Sequence, residues 1–192
     1  LTHYSYPQGW ATTTGGIGGQ IKKVTNLNAS GAGSLRAALE STGARVIVFE
    51  TSGVIDMGGQ TWTISNPYVF VAGQTAPSPG ITLIKGRLET RTHDVIIQHI
   101  RSRAGTGSGG SMQSFVTQSG SYKVIVDHCS FSWGTDETAS IGGYPFTGST
   151  VAEYRADTSH QITFSNCLIY EPLTSSPGGG YGTLNEDNVT DI

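Results

Sequence analysis

Five short apolar segments recur along the chain, and this repeat constrains the fold more than any other feature of the sequence. The segments are Val46-Ile47-Val48, Val69-Phe70-Val71, Val95-Ile96-Ile97, Val124-Ile125-Val126 and Ile162-Thr163-Phe164. Their first residues are separated by 23, 26, 29 and 38 positions, which is typical of a solenoid with insertions between its repeats. Because β-branched residues and turn formers dominate each unit, we predict a parallel β-helix whose coils stack about 4.8 Å apart.

Within these segments, alternate residues are apolar in every repeat. We predict that this set of residues, which share one parity, faces the core. It comprises Val46, Val48, Val69, Val71, Val95, Ile97, Val124, Val126, Ile162 and Phe164. The intervening positions become more polar along the chain, from Ile47 and Phe49 to Asp127 and Ser165, as expected for an outward face. Further strands are predicted at residues 61–65, 81–85, 114–118 and 138–141.

The residues that follow the apolar segments keep the same register. His99, His128 and Asn166 share one column, which predicts a polar ladder at a bend, because a metal site would need acids or cysteines beside the histidines. Cys129 and Cys167 share the next column on successive coils. They lie within plausible reach of a disulfide, but stacked side chains point the same way, so a disulfide and two free thiols both remain open.

One helix is predicted near the N-terminus. Ser34 can act as its N-cap, Leu35, Ala38 and Leu39 share one face, and Gly43 can end it. We expect this helix to cover the first end of the core. An uncovered coil would expose apolar side chains and unpaired backbone groups to water.

The composition agrees with a turn-rich β fold, since the chain has 27 glycines and 13% charged residues. The length of 192 residues predicts one domain over residues 1–192, with the helical cap at about 34–41 and the coils at about 45–190. A net charge of −3 gives no indication of nucleic acid as a partner, and no run is apolar enough for membrane insertion. A signal peptide is absent, as expected for a mature secreted chain.

Several motifs resemble the pectate lyase family in their sequence and order. They are TTGGIGG at residues 13–19, VTNLN at 24–28, GSLR at 33–36, AGQTAP at 72–77 and VDHC at 126–129. The resemblance extends from about residue 5 to about residue 172. It implies an extracellular, all-β, right-handed parallel β-helix in which the C-terminal coils of the family are absent.

The resemblance also implies calcium-dependent β-elimination on a uronate polysaccharide. This chemistry needs carboxylates around Ca²⁺, which prefers about six to eight oxygens, and an arginine in this family as the base. Here Ser114 stands near the column of the first family aspartate, and Ser175 stands four residues after Glu171, where a second acid is expected. No candidate arginine follows Arg155. We therefore expect the chain to lack lyase activity and to need no catalytic residue or cofactor.

Three acids remain as candidates for weak cation binding, namely Asp136, Glu137 and Glu171. The alternative is that they are solvated surface acids, because isolated carboxylates seldom build a tight calcium site. Calcium is the expected cofactor if the chain is an active lyase.

Candidate glycan contacts lie after the bend that follows the histidine column. Arg101 and Arg103 have one parity and are candidates for contact with an acidic polysaccharide. Trp133 is a candidate for stacking on a sugar ring, as are Trp10 and Trp62. The alternatives are solvated arginines and tryptophans packed under loops.

Two sequons, at Asn28 and Asn188, predict N-glycosylation if the chain is secreted from a cell that glycosylates.

Three functional hypotheses follow. The chain is a fragment of an active lyase, an inactive relative that binds polysaccharide, or a structural protein. We favour an extracellular protein without lyase activity that self-assembles, as a filament or surface-layer subunit, through an uncapped C-terminal coil and that also binds polysaccharide. The alternative is a calcium-dependent pectate or polysaccharide lyase.

Overall fold

A computed structural model describes residues 11–108, 110–118, 120–142, 149–173 and 183–185. Its strands are, in chain order, β1 (Gln20–Val24), β2 (Arg45–Phe49), β3 (Gly53–Ile64), β4 (Val69–Ala72), β5 (Ile81–Thr90), β6 (His93–Gln98), β7 (Ile100–Arg103), β8 (Phe115–Thr117), β9 (Tyr122–Asp127), β10 (Ser130–Ser132), β11 (Ala139–Ile141), β12 (His160–Ser165), β13 (Leu168–Tyr170) and β14 (Thr183–Asn185). The helices are α1 (Leu35–Glu40) and α2 (Val151–Asp157).

The strands form two parallel sheets around a shared apolar core. The first sheet has the order β1-β2-β4-β6-β9-β12. The second has the order β13-β10-β7-β5-β8-β11-β14, with β3 paired to β5. Since β5 pairs with β7 through Ile81–Ile84 and with β8 through Leu88–Thr90, the second sheet has two limbs. We call the side of β7, β10 and β13 the first limb and the side of β8, β11 and β14 the second limb.

This arrangement confirms the predicted parallel β-helix. Val69 pairs with Val95, Val95 with Val124, and Val124 with Ile162, as the spacing of the repeats predicted. These four side chains are fully buried, so the apolar parity forms the core from β4 onwards.

The first repeat departs from the predicted register by one residue. Val46 pairs with Phe70 rather than with Val69, and the prediction that Val46 and Val48 face the core is therefore wrong. The inward residues of β2 are Arg45, Ile47 and Phe49. The sequence of β2 is apolar on both faces, so its parity could not be decided from hydrophobicity.

Arg45 makes the inward face of β2 differ from the inward faces of the later strands. Its side chain is fully buried and its guanidinium donates to backbone carbonyls at the end of α1 and in the turn before β4. The acceptors are the carbonyl oxygens of Ala38, Leu39, Gly43, Asn66 and Pro67. The buried arginine thus joins α1 to the first coils.

The outward face of the first sheet is partly covered, in contrast to the expectation of a solvated surface. A second apolar cluster lies there, and the segment 11–19 crosses it. The buried members are Ala11, Val46, Phe70, Ala72, Ile96 and Ile125. The backbone of Gly16 approaches β2 so closely that a Cβ atom would lie 1.8 Å from the carbonyl oxygen of Arg45. This close approach accounts for glycine in the TTGGIGG segment.

Helix α1 covers the first coil as predicted, although its end differs. Ser34 Oγ accepts a hydrogen bond from the backbone N–H of Ala37, and Leu35 and Leu39 are buried. The helix ends at Ser41 in an extended conformation rather than at Gly43, because Ser41 Oγ donates to the helix itself.

Two elements were missed by the sequence-based prediction. Strand β1 precedes α1 and pairs with β2, so the coils begin at Gln20 rather than at about residue 45. Helix α2 lies in the longest insertion, between β11 and β12. It begins with a capping box in which Thr150 and Glu153 exchange hydrogen bonds. Within the described ranges no helix is long and apolar enough to cross a membrane.

Candidate functional site

The histidine column forms a ladder at the bend between the first sheet and the first limb. The rings of His99 and His128 stack with their centroids 4.9 Å apart, and Asn166 continues the column on the next coil. All three residues have φ between 52° and 54°, a left-handed conformation that turns the chain within one residue. The bend repeats on these three coils, so the three exposed side chains lie above one another.

Asp127 anchors this ladder from within the protein. Its carboxylate is fully buried and accepts hydrogen bonds from Gln98 Nε2 at 2.9 Å, Ser165 Oγ at 2.7 Å and Asn166 Nδ2 at 3.0 Å. Nδ1 of His128 also lies 2.8 Å from the carboxylate. The charge is thus compensated by donors from three coils, which fixes the ladder side chains.

A groove of about 390 Å³ runs beside the ladder on the outside of the β-helix. Its walls come from successive coils and include Gln74, Gly80, His99, Arg101, His128 and Asn166. Nε of Arg101 donates to Thr82 Oγ1, and Nη2 donates to the Pro79 carbonyl. Arg101, one of the predicted glycan contacts, therefore lies at the groove with a fixed guanidinium.

Arg103, the second predicted contact, belongs to a neighbouring surface. Arg103, Ser132 and Tyr170 pair across β7, β10 and β13. The guanidinium of Arg103 lies 5.5 Å from the Tyr170 ring centroid, and its Nη2 donates to the Tyr170 hydroxyl at 3.0 Å. Burial lowers the pKa of Arg103, and the charge of Arg101 acts in the same direction.

Trp133 lies on the same side, one residue beyond this row. It is 43% exposed, and its Nε1 donates to the Glu171 carboxylate at 3.1 Å. We call Arg103, Trp133, Tyr170 and Glu171 the arginine–aromatic patch. The structure thus brings together Arg103 and Trp133, two of the three predicted glycan contacts. The third, Arg101, lies in the adjacent groove. Trp62 is buried in the core and is not available for a sugar, whereas Trp10 lies outside the described residues.

Asp136 and Glu137 lie before β11 on the second limb. Gln113 Nε2 donates to Asp136 Oδ2 at 3.1 Å and to Glu137 Oε2 at 3.0 Å. Arg87 Nη1 donates in turn to Gln113 Oε1 at 2.6 Å. Burial, followed by the neighbouring charge of Glu137, raises the pKa of Asp136. A shared amide thus holds two carboxylates side by side.

These residues do not fit a resident calcium ion. Within the part of the chain that the structure describes, no group of three or more histidines, cysteines and acids is placed to hold a metal. Glu171 belongs to the arginine–aromatic patch, so the three predicted metal ligands do not form one site. Ser114 is buried, and its hydroxyl donates to the Ser132 carbonyl. Ser175 lies outside the described residues.

Cys129 and Cys167 are both free thiols in this structure. The Leu168 N–H donates to the Cys129 carbonyl at 3.0 Å, which places the two cysteines on adjacent coils. Burial raises the pKa of Cys129 well above its ordinary value. A hydrogen bond with Cys129 lowers the pKa of Cys167, which is less buried. The two thiols are therefore chemically different although they share a column.

Asn28, in the first sequon, is exposed. Its backbone N–H bonds to the side chain of Asn26. The second sequon, at Asn188, lies outside the described residues. Glycosylation of both stays a prediction.

Sequence reasoning missed Tyr170 and Gln113. The signal for Tyr170 was present, since extending the register beyond Cys167 aligns it with Ser132 and Arg103. Gln113 lies in a loop before β8, and loops of variable length do not align between coils.

Comparisons with known proteins agree with the β-helical fold. No protein-family model matches the chain. Proteins named probable pectate lyase C from Aspergillus fumigatus and Aspergillus terreus are each 37% identical to it over 171 residues, and that from Emericella nidulans is 36% identical. Each match covers 88% of this chain and 36% of the relative. The chain therefore spans little more than a third of the length of these relatives.

A solved structure supports the fold. The crystal structure of Jun a 1, the major allergen from cedar pollen, matches with a TM-score of 0.61 over 80% of this chain and 46% of that chain. The sequence identity is 17%, so this similarity concerns the fold alone. Together with the sequence relatives it confirms the resemblance predicted from the motifs. The chain is a pectate lyase-like parallel β-helix.

Proposed function

We propose that this β-helix binds an acidic polysaccharide of the polyuronate class on the outside of its first limb. The observation that carries the proposal is the arginine–aromatic patch. Support also comes from the relatives, whose name refers to pectate, an acidic polysaccharide.

Arg103 supplies the cationic group of the patch. Its guanidinium donates to the Ser130 carbonyl at 2.7 Å, to Ser130 Oγ and to Tyr170, so its position is fixed before a ligand arrives. Among the described residues no carboxylate forms an ion pair with it. A fixed guanidinium suits a carboxylate, because its planar donors match the two oxygens.

The aromatic residues supply the contact for sugar rings. Trp133 is 43% and Tyr170 38% exposed, although both are large and partly apolar. Their polar atoms are bonded within the protein, to Glu171 and Arg103 respectively, which orients both rings. A rigid aromatic ring contributes contact area at a small cost in conformational entropy.

Binding is tested by electrophoresis through gels that contain polygalacturonate. The wild-type chain is expected to be retarded, and Arg103→Gln to lose about tenfold or more in affinity, because a charge-assisted hydrogen bond contributes roughly 1.5–3 kcal/mol. The matched control is Lys23→Gln, which removes an exposed lysine paired with Glu50 on the first sheet.

Equal retardation of the wild type and Arg103→Gln would contradict the proposal. So would equal retardation by a neutral galactan, which has no carboxylate for Arg103 to bind.

Lyase activity is the second candidate, and the names of the relatives favour it. Asp136 and Glu137 place two carboxylates side by side, but they do not form a calcium site. The assay measures the ultraviolet absorbance of unsaturated uronate products with calcium present and then with chelator. We expect binding without product. Formation of product that depends on calcium would establish that the chain is a lyase and not only a binding protein.

The extracellular location also belongs to this proposal, and the exposed sequon at Asn28 supports it. Self-assembly stays a prediction. It concerns residues 174–192, of which the structure describes Thr183–Asn185. Sedimentation velocity over a range of concentrations tests it, and a monomer throughout would count against it.

A further inference from the structure

We propose that the groove beside the histidine ladder is a separate binding subsite for a small sugar acid. Its ligand is recognised by one carboxylate and by ring hydroxyl groups. The groove lies outside the arginine–aromatic patch, and none of the patch residues lines it. Binding in the groove is therefore distinct from the binding of a polysaccharide at that patch.

Arg101 provides the anchor for the carboxylate. Two of its nitrogens are bonded to Thr82 and Pro79, whereas Nη1 has no hydrogen-bond partner among the described residues. Nor does any carboxylate in the described ranges pair with Arg101. A held guanidinium with a free N–H group needs little reorganisation to bind an anion.

Gly80 keeps this guanidinium uncovered. A Cβ atom at Gly80 would lie 3.3 Å from Nη1 and 3.5 Å from Nη2 of Arg101. Gly80 also has φ of +83°, where glycine is favoured for the backbone alone. The side-chain-free residue therefore leaves space above the guanidinium, which forms one wall of the groove.

The ladder forms the other wall. Nδ1 of His128 is committed to Asp127, and the His128 side chain is 48% exposed, which leaves Nε2 for a ligand. Asn166 donates its amide N–H to the same carboxylate, so its Oδ1 remains an acceptor for a hydroxyl group. Donors and acceptors thus face the groove together, as a polyhydroxylated ring requires.

Charge and size favour a monocarboxylate. Arg101 is the one arginine or lysine among the described residues that line the groove, which matches one carboxylate better than a dianionic phosphate. A volume of about 390 Å³ lies at the lower end of the range for small-molecule sites. Leu168, 65% exposed at the edge, offers an apolar contact for a sugar face.

The test uses the full chain and free galacturonate, followed by NMR through the histidine ring protons. We expect His99 and His128 to shift with saturation at millimolar galacturonate and to stay unchanged with galactose. Arg101→Gln is expected to weaken this binding at least fivefold. Arg36→Gln, which removes a partly exposed arginine on α1, is the matched control and is expected to leave the affinity for galacturonate unchanged.

Unchanged affinity in Arg101→Gln would overturn the inference, as would saturation by acetate at the same concentrations. If Arg101→Gln fails to fold, Arg101→Lys tests the same point, because lysine keeps the charge but loses the fixed fork; unaltered affinity would again refute the subsite. Tighter binding of a galacturonate tetramer than of the monomer would assign a polysaccharide as the source, and equal affinity would assign a free acid. If Arg103→Gln loses polymer binding, the results with the galacturonate monomer remain valid. Each of the two proposals can therefore be refuted without the other.

Discussion

The buried carboxylate of Asp127 lies 2.8 Å from Nδ1 of His128, the residue that follows it in the chain. Because an ionised carboxylate only accepts, Nδ1 carries the proton and the imidazole is held in one tautomer. This pair connects the inside of the β-helix to the ladder on its surface. The groove and the stability of the coils therefore depend on the same carboxylate.

Asp127→Asn is expected to destabilise the protein by about 3 kcal/mol, because an amide N–H₂ would face donors in a buried position. For a chain of this size the thermal midpoint falls by roughly 6–12 °C. Circular dichroism during heating measures the change. The control is Asp56→Asn, an exposed carboxylate bonded to Lys85, which is expected to change the midpoint little. Equal shifts in the two variants would contradict the role assigned to Asp127.

Arg45→Met is expected to cost a similar amount, about 3 kcal/mol, although methionine fits a buried position. The reason is that the five backbone carbonyls bonded to the guanidinium lose their donor. Arg36→Met on the surface of α1 serves as the control. Hydrogen exchange of α1 should increase in Arg45→Met, since the arginine joins the helix to the coils. Unchanged protection of α1 would show that packing alone holds the helix.

The fold was predictable because the repeats preserve their register over four coils. The prediction failed at β2, where apolar residues occupy both faces and the buried Arg45, rather than an apolar residue, aligns with Val69. It failed again at β1, since Gln20–Val24 has too few apolar residues to resemble the later repeats.

The candidate site was predictable in part for a related reason. Arg101 and Arg103 lie two and four residues after His99, and Trp133 lies five residues after His128, so their side of the β-helix could be inferred from their distance to the bend. Which of them face the groove and which the patch depends on side-chain contacts with Pro79 and Tyr170, and these come from other coils.

The pH dependence of stability should show the effect of the lowered pKa of His99. Burial, and then the charge of His128, lower the pKa of His99 below its ordinary value of 6.5. The unfolded chain thus binds the proton more readily, so this group reduces stability as the pH falls through about 6.5. His99→Asn removes the effect and is expected to lose less thermal stability than the wild type between pH 7.5 and 5. Parallel curves for both proteins would refute this.

The pKa shift of Asp136 changes stability with pH in the opposite direction to that of His99. Burial and the neighbouring Glu137 raise its pKa above 3.8, so the folded chain binds the proton more readily and stability from this group falls as the pH rises. Asp136→Asn is therefore expected to raise the thermal midpoint at pH 7 and to give a smaller gain at pH 4. The asparagine still accepts from Gln113, which preserves the local hydrogen bond. A midpoint at pH 7 that is lower than that of the wild type would contradict the repulsion between the two acids.

The two thiols should differ in their rates of alkylation. Cys167 is less buried and its pKa is lowered by the hydrogen bond with Cys129, whereas burial raises the pKa of Cys129. Since the thiolate is the reactive form, iodoacetamide at pH 8 is expected to modify one thiol quickly, and Cys167→Ser should abolish that phase. Cys129→Ala removes the hydrogen bond and should slow the reaction of Cys167, while Cys129→Ser keeps a donor and should slow it less. Equal rates in the alanine and serine variants would show that exposure alone sets the reactivity. Failure of both thiols to react until a reductant is added would instead show that they form a disulfide between adjacent coils.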